Sequence, residues 1–319
     1  MAASFWRRTP PALFPATLGM FGLSLIWRSA ADTIAAPDAV WRLLLAATAL
    51  FFLFAFAAYL AKVLRRPSVV LEDMNPVPGR AAVSAGSMCL LLFAAGLFAL
   101  GAPLDVSLGA WLAGLGLHVA YMLCVIAVLI RAPVEARVVT PVLFLPFVGY
   151  IVSPIGGVPL GFGGLSNWLY LYSLAAGAVI VILSAPRFVL GPTPIPARAS
   201  SAILLAPTSI GAVSGHALGY DWSVVAFIGA SVILALVLLA RLRWLTAGGF
   251  TPLWGAFTFP SAAFASAMLV AAGRWGGAWD WIAALTLVAA TLIVAPIWVM
   301  TIRAWSLGRL APATGAGTV

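Results

Sequence analysis

The sequence predicts an all-α integral membrane protein with ten transmembrane helices. Of the 319 residues, 64% are hydrophobic and only 8% are charged, and the mean hydropathy is +1.12. Soluble domains carry about 25% charged residues, so a soluble fold is excluded. Apolar stretches of about 20 residues, the length that crosses a hydrocarbon core, also recur along the whole chain.

The ten predicted spans use nearly the entire chain. They cover residues 12–29, 40–62, 81–101, 107–130, 138–156, 166–185, 199–217, 221–241, 250–272 and 278–302. The connections between them are short, and the longest are rich in proline. We therefore expect a single transmembrane domain over residues 1–319, with a short N-terminal segment at about 1–11 and a C-terminal tail at about 303–319.

The basic residues are distributed unequally between the two sets of connecting segments. One set holds Arg7, Arg8, Lys62, Arg65, Arg66, Arg80, Arg131, Arg137, Arg187, Arg198, Arg241, Arg243, Arg303 and Arg309, and the other holds Arg28, Arg42 and Arg274. The positive-inside rule places the richer set, and with it both termini, in the cytoplasm. The net charge of +9 therefore reflects topology in a lipid bilayer, and no nucleic-acid partner is expected.

Proline recurs at comparable positions in alternate helices. The motifs are Phe14-Pro15-Ala16-Thr17-Leu18-Gly19, Leu145-Pro146-Phe147-Val148-Gly149, Ala206-Pro207-Thr208-Ser209-Ile210-Gly211 and Thr258-Phe259-Pro260-Ser261, and the third span offers Ser84 instead. A proline inside a helix removes a hydrogen bond and bends the helix, and in lipid the freed carbonyl must face other helices or a hydrated cavity. The repeat predicts five tandem helical hairpins whose odd helices lie inside and are kinked at these prolines. Close packing through small residues is the alternative explanation.

The reactive side chains indicate no enzyme, cofactor or metal site. Cys89 and Cys124 lie inside predicted helices, and the single histidines His118 and His216 have no partner at ligand spacing. The chain also lacks a His-Glu-x-x-His motif, a Gly-x-Ser-x-Gly motif and a pair of carboxylates within the spans. We expect packed cysteines and histidines.

Three stretches in this ten-helix frame resemble the tellurite-resistance/dicarboxylate transporter family, which includes bacterial TehA and the plant slow anion channels. They are Leu18-Gly19-Met20-Phe21-Gly22-Leu23-Ser24-Leu25-Ile26-Trp27-Arg28, then Pro67-Ser68-Val69-Val70-Leu71-Glu72 with Asn75-Pro76-Val77, and Trp254-Gly255-Ala256-Phe257-Thr258-Phe259-Pro260. The resemblance covers nearly the whole chain. Two features depart from the family pattern: the third helix has no proline, and Asn75 occupies a position that is often histidine.

The resemblance implies five hairpins around a central pore that an inner-helix phenylalanine plugs. The Phe-Pro motif maps that plug onto Phe259, with Phe257 as the alternative in the neighbouring register. It also implies a homotrimer with one pore in each subunit, in a bacterial-type inner (plasma) membrane.

The mechanism predicted from the residues is a passive pore for small inorganic or organic anions, gated by the phenylalanine plug that the resemblance implies. No carboxylate lies near the middle of a predicted span, so the usual chemistry of proton coupling is missing. Weak polar contacts would select anions by the cost of dehydration, which favours nitrate or iodide over chloride. The candidate pore-lining residues are Thr17, Gly19, Ser84, Gly149, Thr208, Ser209, Gly211 and Thr258. The alternative is a secondary transporter for malate, sulfite or tellurite-related anions.

Overall fold

The chain is built of helices, and the computed structural model has no strand among the residues it describes. Those residues are 5–133, 137, 139–190, 194–315 and 317, so the predicted segment 1–11, the start of the predicted span 138–156 and the predicted tail 303–319 lie partly outside them. The α-helices are α1 Leu13–Ile34, α2 Asp38–Arg65, α3 Val69–Met74, α4 Val77–Ala99, α5 Leu104–Arg131, α6 Phe144–Val148, α7 Ser153–Gly157, α8 Gly163–Leu190, α9 Leu205–Ala217, α10 Asp221–Ala240, α11 Leu242–Leu245, α12 Gly255–Trp275, α13 Ala278–Ser306 and α14 Leu310–Thr314. The all-α class is confirmed.

Seven helical segments in the described part of the chain are long and apolar enough to cross a membrane. They are α2, α4, α5, α10 and α13, most of α8, and α12 with the 3₁₀ turn Pro252–Trp254 before it. The remaining predicted spans coincide with α1, with the broken helical run Pro141–Gly157, and with the 3₁₀ segment Ile195–Leu204 that leads into α9. A multi-pass helical membrane protein is confirmed, and the count of ten crossing helices stays a prediction.

Burial separates inner helices from outer ones. In their most apolar stretches α4 buries 78% of its residues and α12 buries 61%, whereas the other five spanning helices bury 22–33%. In α1, 12 of the 22 residues are buried. The outer helices instead expose large apolar side chains such as Leu43, Leu236 and Trp281, which suits contact with lipid.

The inner segments contact one another in a closed ring. α1 packs on α4, α4 on α6 and α7, α7 on α9, α9 on α12, and α12 returns to α1. Each inner segment also packs against the long helix that follows it in the chain: α2, α5, α8, α10 and α13 in turn. The fold therefore encloses an interior that is bordered by five different parts of the chain.

Proline marks the start of the α-helices in this inner ring. Pro15, Pro146 and Pro207 are each the third residue of their helix, α1, α6 and α9. The first amides of an α-helix have no intrahelical acceptor, so Pro15 costs no hydrogen bond there. Pro146 and Pro207 directly follow the 3₁₀ runs Pro141–Leu143 and Ile195–Leu204, so each lies within a longer helical run. Pro260 lies further inside, as the sixth residue of α12. Three of the four predicted kink prolines thus lie in the first turn of an α-helix, and kinks at these prolines stay a prediction.

The helix of the third predicted span, α4, has a proline in its first turn as well. α4 begins at Val77, four residues before the predicted span, and Pro78 is its second residue. The hydropathy pattern predicted a start at residue 81 because a charged residue, Arg80, was taken to lie outside the membrane-spanning helix. In the structure Arg80 is 4% exposed, and its guanidinium donates to the carbonyl oxygens of Met74 at 3.2 Å and Asn75 at 3.4 Å.

We predict that Gly19→Ala destabilises the protein by about 1–3 kcal/mol, the usual cost of overpacking. A Cβ on Gly19 would overlap the Thr258 side chain and lie 2.8 Å from the Thr258 backbone carbon. The matched control is Gly116→Ala in α5, where no atom lies within 4 Å of an added Cβ. Thermal unfolding in detergent should show a lower Tm for the first variant and an equal or higher Tm for the control. Equal Tm values for all three proteins would contradict the close packing of α1 on α12.

Candidate functional site

A cavity of about 510 Å³ lies inside the ring of inner segments. Every inner segment contributes to its wall. The contributing residues include Pro15 and Leu18 of α1, Ala81 and Ala82 of α4, Val142 and Leu145 at the start of α6, Ile203 and Ala206 at the start of α9, and Phe259 and Pro260 of α12. The wall is mainly apolar, with hydroxyl groups from Ser200, Thr251 and Thr314.

Much of the wall is formed by the N-terminal ends of the inner helices, and residues of α3, of α14 and of the segment 250–253 complete it. The described lining residues extend no further along these helices than Leu18 of α1, Ala82 of α4 and Ala206 of α9. The N-terminus of a helix carries a partial positive charge from the aligned peptide dipoles. Several such ends converging on one cavity favour an anion there without a fixed cation in the wall.

The residues that lie one α-helical turn before the prolines line the cavity. The residues four positions before Pro15, Pro146, Pro207 and Pro260 are Pro11, Val142, Ile203 and Ala256, and all four line the cavity. These are the positions whose carbonyl oxygens cannot receive an α-helical hydrogen bond from proline. One of them, the Pro11 carbonyl, accepts a bond from the Phe14 amide at 2.9 Å instead.

Phe259 lies in the cavity wall and packs against α1. Its side chain is 8% exposed, and its ring carbons are 3.5 and 3.6 Å from the place where a Cβ on Gly22 would stand. Phe257, the alternative candidate, is absent from the described lining and places its ring edge to face with Trp254 at 5.7 Å. The position therefore suits Phe259 as an obstruction, and its role as a gate stays a prediction.

The eight predicted pore-lining residues are absent from the described lining of this cavity. Thr17 faces α13, where its hydroxyl accepts a hydrogen bond from Trp298 Nε1 at 3.3 Å. The Thr258 hydroxyl donates to the Pro15 carbonyl at 3.0 Å, beside Gly19. Three of the eight are thus brought together at the contacts of α1 with α12 and α13.

The remaining five lie deeper in their helices or beside a neighbouring helix. The Ser84 and Thr208 hydroxyls donate to the carbonyls of Arg80 and Leu205 in their own helices. Gly149 lies against the His118 ring, Gly211 lies against Phe227, and Ser209 Oγ is buried without a hydrogen-bond partner among the described residues. A lining role for these residues on the path beyond Phe259 stays a prediction.

An ion pair that the hydropathy pattern did not indicate lies at the cavity wall. Lys62 of α2 and Asp73 of α3 are 3.0 Å apart, and both side chains are 0% exposed. Asp73 lines the cavity, and its Oδ2 also accepts a hydrogen bond from the Tyr59 hydroxyl at 3.0 Å. The signal in the sequence was the apolar pair Val69-Val70 ahead of Asp73, since both valines are buried where α3 packs against its neighbours.

The cysteines and histidines are separate from this cavity. Cys89 and Cys124 are free thiols, and no group of three or more metal-binding side chains comes together in the described part of the chain. His118 is buried, with Nδ1 at 2.7 Å from Ser87 Oγ and its ring edge to face with Tyr150 at 4.4 Å. These contacts fit a packed histidine.

Comparison with protein families gives one match that covers most of the chain. The SLAC1 family model, described as a voltage-dependent anion channel, matches residues 8–302. This match confirms the family resemblance predicted from the sequence. Comparison with curated proteins gives no match.

We predict that the cavity is open to water. In a variant with Cys89 and Cys124 replaced by alanine, a cysteine at Ala256 in the wall should react with a water-soluble thiol reagent. The control is a cysteine at Ala212, which is 0% exposed in the core. We expect it to react at least about tenfold more slowly, because close-packed interiors exclude water. Equal rates would contradict a water-accessible cavity at this place.

Proposed function

We infer that this chain, which belongs to the SLAC1 family of voltage-dependent anion channels, forms a passive, gated channel for small monovalent anions such as nitrate and chloride. The observation that carries the proposal is the cavity among the helix N-termini of the inner ring, with Phe259 in its wall. No catalytic step and no cofactor are part of it.

The proposed architecture is ten transmembrane helices arranged as five tandem hairpins around the pore. It is supported by the closed ring of inner segments, by the outer helix that follows and packs on each of them, and by the greater burial of α4 and α12. The excess of basic residues in one set of connections supports termini on the cytoplasmic side. On the basis of the family resemblance, we also propose a homotrimer with one pore in each subunit. Its location would be an inner membrane of bacterial type.

Anion selection is proposed to follow dehydration. The wall offers helix dipoles and a few hydroxyls, which replace only part of an anion's hydration shell. Larger monovalent anions lose less hydration free energy on entry, so nitrate and iodide pass more readily than chloride. Sulfate and doubly charged dicarboxylates are expected to pass poorly for the same reason.

Phe259 is proposed to close the pore. Its ring is apolar, and it is held between the cavity and the small Gly22 site on α1. An apolar ring of this kind obstructs an ion both by its volume and because it cannot replace water around the ion. Opening would require the ring to leave the path and so to give up its contact with the Gly22 position on α1.

A coupled secondary transporter for malate, sulfite or tellurite-related anions is the second candidate. The observation that favours it is the buried Asp73 at the cavity wall, because ionisable groups buried within membrane proteins are frequent coupling sites. A transporter of this kind would show saturable uptake that follows an ion gradient.

We predict that Phe259→Ala increases nitrate flux through the purified protein in liposomes by at least about tenfold, equivalent to lowering the barrier by about 1.4 kcal/mol. Phe257→Ala removes the same ring two residues away, outside the described cavity lining, and serves as the matched control with unchanged flux. Unchanged flux through a correctly inserted Phe259→Ala protein would contradict the gate.

We also predict that nitrate flux exceeds chloride flux, rises linearly with concentration and does not change when a proton gradient is applied. Malate flux, measured under the same conditions, distinguishes the channel from the second candidate, the coupled transporter. Saturable malate uptake that follows the proton gradient would overturn the channel and establish the transporter.

A further inference from the structure

Among the described residues that line the cavity, Asp73 is the one that carries a charged side chain. Its carboxylate has no exposed surface and lies buried behind the wall. An acid is unexpected in a passage for anions, because it repels them. This carboxylate is compensated by the Lys62 ammonium at 3.0 Å, and both groups are inaccessible to solvent. The pair as a whole therefore adds no net charge to the wall.

Further donors hold the pair in one arrangement. The Tyr59 hydroxyl donates to Asp73 Oδ2 at 3.0 Å, and the Gly317 amide of the C-terminal tail donates to Oδ1 at 2.7 Å. The Lys62 ammonium also donates to the Thr9 carbonyl at 3.3 Å. Because both oxygens of the carboxylate and the ammonium have partners, the charges are fixed in place.

We propose that the pairing of Lys62 with Asp73 keeps the surroundings of the cavity electrically neutral and so leaves the choice between monovalent and divalent anions to dehydration, on the premise that the chain conducts anions as proposed above. Coulomb energy is proportional to the charge of the ion, so a fixed charge acts twice as strongly on a divalent as on a monovalent anion. A neutral pair gives the divalent anion no such advantage. Its greater dehydration cost then decides, and monovalent anions are selected.

Single substitutions should move selectivity in opposite directions. Asp73→Asn leaves the Lys62 cation beside the cavity and should raise the sulfate-to-nitrate permeability ratio by at least about fivefold. Lys62→Met leaves the Asp73 anion and should lower both the ratio and the total anion flux. The double variant is neutral again and should return to the wild-type ratio.

A purely structural role predicts a different result. If the pair only stabilised the fold, both single variants would lose flux of both anions together, and the ratio would stay constant. Glu72→Gln is the matched control for loss of a carboxylate in the same connection, since Glu72 pairs with Arg66 at 2.8 Å at a half-exposed position outside the described lining. Its ratio should equal that of the wild type.

The experiment measures sulfate and nitrate flux through the full-length protein in liposomes, with each charge variant made in the wild-type and the Phe259→Ala chains. Removing one partner of a buried pair leaves an uncompensated charge that can prevent folding. The exchanged pair, Lys62→Asp with Asp73→Lys, keeps both charges and places the cation at the cavity wall, so it should raise the ratio even if the single variants do not fold.

Opposite shifts in the two single variants, or a raised ratio in the exchanged pair, would support the proposal. Nitrate flux with a ratio that none of these variants changes would overturn the role of the pair and leave the proposed channel intact. A complete lack of anion flux in every chain, including Phe259→Ala, would instead overturn the channel and the selectivity role with it.

Discussion

Backbone hydrogen bonding is the constraint on which the rest of this structure depends. Hydrocarbon offers no partner to a free amide or carbonyl, so irregular backbone is tolerated only where protein or water surrounds it. The irregular runs Pro141–Gly157 and Ile195–Leu204 both contribute residues to the cavity wall. The outer helices α2, α5, α10 and α13 are continuous over 20 to 29 residues. The irregular backbone thus borders the cavity, which is the space through which the proposed channel would conduct.

The same constraint explains the repeated proline. A residue without an amide is harmless in the first turn of a helix, and in the inner ring Pro15, Pro78, Pro146 and Pro207 occupy first turns. These first turns form the cavity wall. Several inner helices thus begin at the cavity, and the positive ends of their dipoles are brought to one space.

Side-chain charge enters the cavity in a compensated form. The Lys62–Asp73 pair links α2 to α3, and the Gly317 amide brings the C-terminal tail to the same carboxylate. A buried pair is costly to desolvate and is not by itself evidence of stability, so stability alone does not account for its position beside the cavity. Small residues complete the arrangement, since Gly19 and Gly22 allow α12 to approach α1 with Thr258 and Phe259 at the contact.

The sequence by itself determined the membrane class, the α-helical fold and the family, because length, apolarity and motif order are local properties that need no contact information. The Phe-Pro motif in the sequence also selected Phe259, and both Phe259 and Pro260 line the cavity. Tertiary structure decided which polar residues face the cavity: hydropathy cannot show that the Thr17 hydroxyl accepts a bond from Trp298, or that a short helix folds back to bury Asp73 against Lys62. It also decided where α4 begins, because the burial of Arg80 depends on carbonyl oxygens that only the folded chain brings to its guanidinium.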